Sequence, residues 1–314
     1  MPPNFGEIVY GATAWSFKHP IIERGIGHTF RQARKIFDEA GFSEKRCAIE
    51  VFAVYEPTTD LEYAHKVEEA ARKNNLIPVT TIFRPAPNPS MVAASTRERK
   101  QAVNQCKKGI EFAVTATPEG LPVVVNGPFQ LVHGLGKEEA LDKNKRGYLL
   151  GCLEQIGDFL EKQDRESYAA LEILRPSETK MTPKIDYWMT LLAEVGSRNI
   201  GLLVDTVHFY EGNGRNTHSM LESIDRVCEA GRCYSVHLSN SPRTEWEEKG
   251  EIAKHTGAIL RILQRHNCNV TVDYEGFDHS LDEAIGIERR PDQADQIEVA
   301  RRSMAYLSEH VQSI

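Results

Sequence analysis

The chain has 314 residues, 40% of them hydrophobic and 26% charged, enough to bury a sizeable core as one large domain or two ordinary ones. Its formal charge of -7 argues against a partner held by broad phosphate neutralisation, nucleic acid above all. No run approaches the roughly 18 apolar residues of a membrane span, and the opening MPPNFGEIVYGATAW lacks the basic-then-apolar order of a secretory signal.

Apolar runs alternate with helix-like segments along the whole chain. The first run, 8–14 (IVYGATA), precedes a helical pattern over 30–40, in which Phe30, Ala33, Ile36, Phe37 and Ala40 repeat at helical spacing before Gly41 ends it. A second strand is expected over 47–54 (CAIEVFAV), followed by a helix over 60–74. A third covers 77–83 (IPVTTIF) and closes on the Pro-rich RPAPNP loop. A helix over 97–115 leads to strand four, 122–126, with Gly127-Pro128 at its end. A helix over 148–163 leads to strand five, 168–174 (YAALEIL).

A helix over 185–195 precedes strand six within GLLVDTVHFY, 201–210, where an unbroken apolar run meets Asp205 and then His208. A run with no polar alternation suits a parallel strand covered on both faces. Helices over 220–230 and 252–266 lead to strands seven, 233–238 (CYSVHL), and eight, 270–274 (VTVDY), and a helix over 296–311 closes the chain. Eight such units at roughly 30 to 40 residues each, with no low-complexity linker, predict an α/β fold, one (β/α)8 TIM barrel spanning 1–314. The six cysteines, Cys47, Cys106, Cys152, Cys228, Cys233 and Cys268, form no Cys-x-x-Cys pair, which points to reduced thiols and a cytoplasmic protein.

Strands five to eight each end on a residue able to bind metal: Glu172, Asp205, His237 and Glu275. Singly, each has a plain explanation, and Asp205 in particular suits the N-cap of a following helix. Four in succession at one end of adjacent strands would meet at the mouth of a closed barrel, the end where ligands bind in this architecture. Three carboxylates and one imidazole make a hard donor set. It favours one divalent ion, Mn²⁺ first, with Mg²⁺, Co²⁺ and Zn²⁺ as alternatives. Four protein ligands leave two octahedral positions for adjacent oxygens of a hydroxy-carbonyl compound, and a Lewis acid there eases deprotonation beside the carbonyl.

Further polar residues follow at fixed offsets: Glu178 six after Glu172, His208 three after Asp205, Arg243 six after His237. In the segments LEILRPSE, VDTVH, HLSNSPR and DYEGF, with Gly127-Pro128, the sequence resembles the D-tagatose 3-epimerase and D-allulose 3-epimerase group of the xylose-isomerase-like barrels. These segments cover strands four to eight, and the first half agrees in layout alone. The resemblance implies that Glu172, Asp205, His237 and Glu275 are the metal ligands and that Glu178, His208 and Arg243 bind oxygens at the carbonyl end of a sugar. It also implies that Glu172 and Glu275 flank the reacting carbon, one removing a proton to give a cis-enediolate and the other returning it, which is what inversion needs. Dimers or tetramers are a further expectation from the family.

The chain departs from that pattern in RPAPNPSMVAAS, in GLGKEEALDKNK and in LSNSPRTEWEEKG, all beside predicted strand ends, so the sugar accepted is open. Trp15, Phe52, Tyr55, Phe83, Trp246 and Phe277 fall near those ends, where a ring stacks on a sugar or packs in the core. The reading is a metal-dependent epimerase or isomerase of a ketose or related keto-sugar. Its alternative is a lyase on the same site, acting on a keto-inositol, dehydroshikimate or a 3-keto- or C-glycoside. An apurinic-site endonuclease of the same barrel type is disfavoured by the acidic charge and the small number of histidines at the lips. A non-catalytic sensor is disfavoured by the intact general-base candidates.

Overall fold

The computed structural model describes residues 2–13, 25–52, 61–82, 90–127, 143–175, 184–240, 246–275 and 296–313. Eight strands, β1 (Val9–Thr13), β2 (Cys47–Phe52), β3 (Leu76–Thr81), β4 (Val123–Gly127), β5 (Ser167–Glu172), β6 (Ile200–Asp205), β7 (Cys233–Leu238) and β8 (Thr271–Tyr274), pair in sequence order. The last pairs with the first, so the sheet closes as a barrel, and every pairing is parallel. The strand pattern read from the sequence is therefore the one observed, within a residue or two at most ends.

Both faces of these strands are buried, which is why they read as apolar runs without alternation. Outward residues join the helices in one large core, whereas inward residues form a separate interior cluster of Val9, Ala48, Ile77, Val79, Val124, Tyr168, Ala170, Leu203 and Tyr234. Side chains two residues apart share a strand face. Stepping two residues on from Ala48, Val79, Val124, Ala170 and Leu203 gives Glu50, Thr81, Asn126, Glu172 and Asp205. The barrel interior thus changes from apolar to polar toward the strands' C-terminal ends, and the last inward position of most strands carries chemistry.

Two glycines allow this packing. A Cβ at Gly11 would overlap the Asp273 carboxylate and the Ala48 carbonyl, and one at Gly201 would overlap the ring of Tyr234. The β6–β7 register skips Tyr234, with Leu202 opposite Cys233 and Leu203 opposite Ser235, and the Tyr234 hydroxyl donates to the Arg198 carbonyl.

The helices are α1 (Ile26–Phe37), α2 (Leu61–Lys73), α3 (Thr96–Ala116), α4 (Lys143–Glu161), α5 (Ile185–Val195), α6 (Thr206–Gly212), α7 (Thr217–Glu229), α8 (Thr256–Arg265) and α9 (Gln296–Gln312). Side chains cap the starts of α3, by Ser95, and of α7, by Asn216. Four features differ from the sequence reading, the first being that α4 starts at Lys143 rather than at 148. The first helix begins earlier, and its last turn widens into a π-helical segment over Asp38–Phe42 that holds Gly41 at φ 92°. The expected 252–266 helix is α8 preceded by a 3₁₀ turn, Ala253–His255. Within GLLVDTVHFY the strand stops at Asp205 and VHFY is helical, because Asp205 caps α6 by accepting from the backbone N–H of Val207 and His208.

All six cysteines are buried, and none forms a disulfide. Among the described residues no helix is long and apolar enough to cross a membrane.

Candidate active site at the mouth of the barrel

The end of β6 organises the mouth. Asp205 is fully buried. Its Oδ1 accepts from Val207 N at 2.8 Å, His208 N at 3.2 Å and Ser239 Oγ at 2.7 Å. The cap fixes the carboxylate and, by starting a helix at once, turns His208 back over the strand end. His208 Nε2 then lies 3.1 Å from Glu172 Oε1 and 3.6 Å from Asp205 Oδ2. Thr206 ties the end of β6 to that of β7, its hydroxyl donating to the Ser239 carbonyl at 2.8 Å and accepting from Ser239 N at 2.9 Å.

On the other side, Glu275 continues β8 past Tyr274, its N–H donating to the Leu238 carbonyl at 3.1 Å. Its Oε2 sits 3.8 Å from His237 Nδ1. Two groups of ligating atoms result, Glu172 with Asp205 and His208, and Asp205 with His237 and Glu275, each within 4.8 Å of one another. Two donors bound to one small divalent ion at about 2.1 Å are at most about 4.2 Å apart, so each group is near that limit. The two groups share Asp205. The structure brings Glu172, Asp205, His208, His237 and Glu275 to one mouth, and it places His208 against Glu172 as closely as any pair there. Glu178 and Arg243 lie outside the described residues.

Below this ring lies a set of buried polar residues that the sequence reading passed over. Glu50, on β2 and with no exposed surface, receives three partners on one oxygen, Oε1. They are His237 Nε2 at 3.0 Å, Asn126 Nδ2 at 2.9 Å and the Thr81 hydroxyl. Asn126 Nδ2 also reaches Ser235 Oγ at 3.2 Å, and Ser235 Oγ lies 3.0 Å from Thr271 Oγ1. Asp273, two residues before Glu275 on the same inward face, is fully buried as well. A charge in the middle of an otherwise apolar strand, as in CAIEVF and TVDY, was the available signal, since a buried carboxylate must be paired or pay a large desolvation cost.

Charge within this set is unevenly shared. Burial disfavours a charged Glu50, but the His237 charge and the hydrogen bonds from His237, Thr81 and Asn126 outweigh it and hold the carboxyl below its usual range. Burial likewise disfavours a charged His237, and the carboxylates of Glu50, Glu275 and Glu172 overcome this and raise the imidazole well above its ordinary value. At Asp273 the His237 charge acts in the same sense as at Glu50 but does not overcome burial. Burial, with the Glu50 charge adding, pushes its carboxyl up to about 7.

The donors fit a divalent cation. Buried His237 Nδ1 meets no hydrogen-bond partner and faces the Glu275 carboxylate, as a ligating nitrogen would. An oxygen-rich set with one imidazole suits Mn²⁺ or Mg²⁺. Of the aromatic candidates, Trp246 is fully buried with Nε1 donating to Thr256 Oγ1 at 3.0 Å, a packing role. The side chains of Trp15, Phe52, Tyr55, Phe83 and Phe277 lie outside the described residues.

No curated protein matches the sequence. Among solved structures, the chain is similar to D-allulose 3-epimerase from Methylomonas sp., with a TM-score of 0.77 at 14% identity over 98% of this chain and 99% of that one. It is similar to an L-ribulose 3-epimerase, with a TM-score of 0.78 at 16% identity over 98% and 95% of the two chains. It is also similar to 3-keto-D-glucoside 4-epimerase from E. coli, with a TM-score of 0.67 at 14% identity over 96% and 99%. At these identities the likeness is one of fold. The family model for the xylose isomerase-like TIM barrel matches residues 45–310, and with the closed eight-stranded barrel this shows that the chain belongs to that family.

Proposed function

We propose that this chain, as a single barrel domain over 1–314, is a divalent-cation-dependent epimerase of a ketose or related keto-sugar, inverting the carbon next to the carbonyl. The observation that supports the proposal is the pair of ligating groups at the mouth of the barrel, Glu172 with Asp205 and His208, and Asp205 with His237 and Glu275, which share the Asp205 carboxylate. A divalent cation held by Glu172, Asp205, His237 and Glu275 supplies Lewis acidity beside the carbonyl, with Mn²⁺ the favoured ion. Glu172 and Glu275 act as the two bases. One takes the proton from carbon 3, the electron pair moves to the carbonyl oxygen to give an enediolate, and the other returns a proton to the opposite face. His208, packed on Glu172, holds that carboxylate in place and with Glu178 and Arg243 binds the oxygens of the carbonyl end. The names of the similar structures, two ketose 3-epimerases among them, support this chemistry. The buried, reduced thiols support a cytoplasmic site of action. Self-association as dimer or tetramer belongs to the same reading.

The test is to strip the protein with a chelator, restore Mn²⁺, and follow ketohexose interconversion in D₂O. Metal-dependent interconversion with deuterium entering at carbon 3 is expected. Turnover by stripped protein, or turnover without exchange, would contradict the proposal. A second reading, action on a 3-keto-glycoside with epimerisation or elimination, is favoured by similarity to the 3-keto-D-glucoside 4-epimerase. A keto-glycoside screen for eliminated product separates the two.

A further inference from the structure

We infer that Glu50 is a positioning residue for the cation site, setting the tautomer and ring orientation of His237 from inside the barrel. The inference rests on the functional reading above and extends it to a residue behind His237. Glu50 Oε1 lies 3.0 Å from His237 Nε2 and already accepts from Asn126 Nδ2 and the Thr81 hydroxyl. An oxygen that receives two other donors is an acceptor, so Nε2 carries a proton toward it. In the neutral imidazole that binds a cation, the lone pair then belongs to Nδ1, the atom that faces Glu275.

The placement is costly unless it serves something. Glu50 is wholly buried, its Oε2 meets no hydrogen-bond partner, and its three partners converge on the oxygen that touches His237. Thr81 and Asn126 come from the next two strands round the barrel, so β2, β3 and β4 together hold one acceptor against a histidine on β7. A carboxylate behind a ligating imidazole both fixes the ring and makes it a stronger donor, and loss of such a partner typically weakens metal binding by about 10-fold to 100-fold. The half of the barrel that contributes no ligand thereby acts on the half that does.

The test compares Mn²⁺ dissociation constants and the visible spectrum of the Co²⁺ form for wild type, Glu50→Gln and Glu50→Leu, with urea unfolding run alongside. Glutamine keeps the accepting Oε1 and replaces only the partnerless oxygen, so Glu50→Gln should bind within about tenfold of wild type. Leucine removes the acceptor, and Glu50→Leu should bind about 10-fold to 100-fold more weakly with a shifted Co²⁺ spectrum. Wild type that binds Mn²⁺ together with a folded Glu50→Leu that binds within twofold and keeps the Co²⁺ spectrum would overturn the inference alone. Wild type that binds no Mn²⁺ overturns the functional reading and takes the inference with it. Should Glu50→Leu not fold, ¹⁵N shifts of the histidine in Zn²⁺-loaded wild type, assigned by their loss in His237→Gln, decide the matter. A protonated Nε2 supports the inference and a protonated Nδ1 overturns it.

Discussion

Replacing Asp273 with asparagine should flatten the dependence of stability on pH. The Asp273 carboxyl, ordinarily at 3.8, is pushed to about 7 by burial and by Glu50. A folded-state value above the unfolded one means that the contribution to stability is fully present below about pH 4 and is lost as pH rises through about 7, because folded protein must surrender a proton that unfolded protein has already released. Between about pH 5 and pH 8 the loss amounts to about 2.5 kcal/mol, from the separation of the two values at 1.36 kcal/mol per unit. Asparagine has no proton to give up. Urea unfolding of both proteins in chelator across that range should show the stability difference moving by about 2.5 kcal/mol in favour of Asp273→Asn as pH rises. Curves that stay parallel within about 0.5 kcal/mol would show that Asp273 does not change charge there, and the account of the barrel interior would be wrong.

Other expectations follow from the same geometry. Gly201→Ala should destabilise by about 1 to 3 kcal/mol, read by urea unfolding, because the added methyl meets the Tyr234 ring. Ser239→Ala removes a buried donor from Asp205 Oδ1 and should cost about 1 kcal/mol of stability and several-fold in Mn²⁺ affinity by calorimetric titration. Mn²⁺ at 100 times its dissociation constant should stabilise the folded protein by about 2.7 kcal/mol, seen as a higher melting temperature that a chelator reverses.

The barrel was legible because each buried strand announces itself as an unbroken apolar run, and the run lengths and spacing leave one simple closure. The ring at the mouth was legible for a related reason: Asp205 and Glu275 stand where apolar runs give way to polar chain, and Glu172 and His237 lie within two residues of the end of a run. Glu50 and Asp273 stand inside their runs, and their meaning depends on which strands face one another across the barrel, which no local pattern records. The contact of Glu50 with His237 spans 187 positions in the chain. Asp205 shows how two readings of one residue can coexist, since one carboxylate oxygen caps α6 and the same side chain belongs to both ligand groups. Helix α6 itself was hidden because VHFY is as apolar as the strand before it, and only the cap marks the change.

On the proposed function, carboxylates and an imidazole from four successive strands hold one ion. A crystal of the protein grown with Mn²⁺ and measured at the manganese absorption edge tests it most directly. One strong anomalous peak within about 2.3 Å of His237 Nδ1 and of the carboxylates of Glu172, Asp205 and Glu275 is the predicted result. A peak bound elsewhere, or none at saturating Mn²⁺, would contradict it.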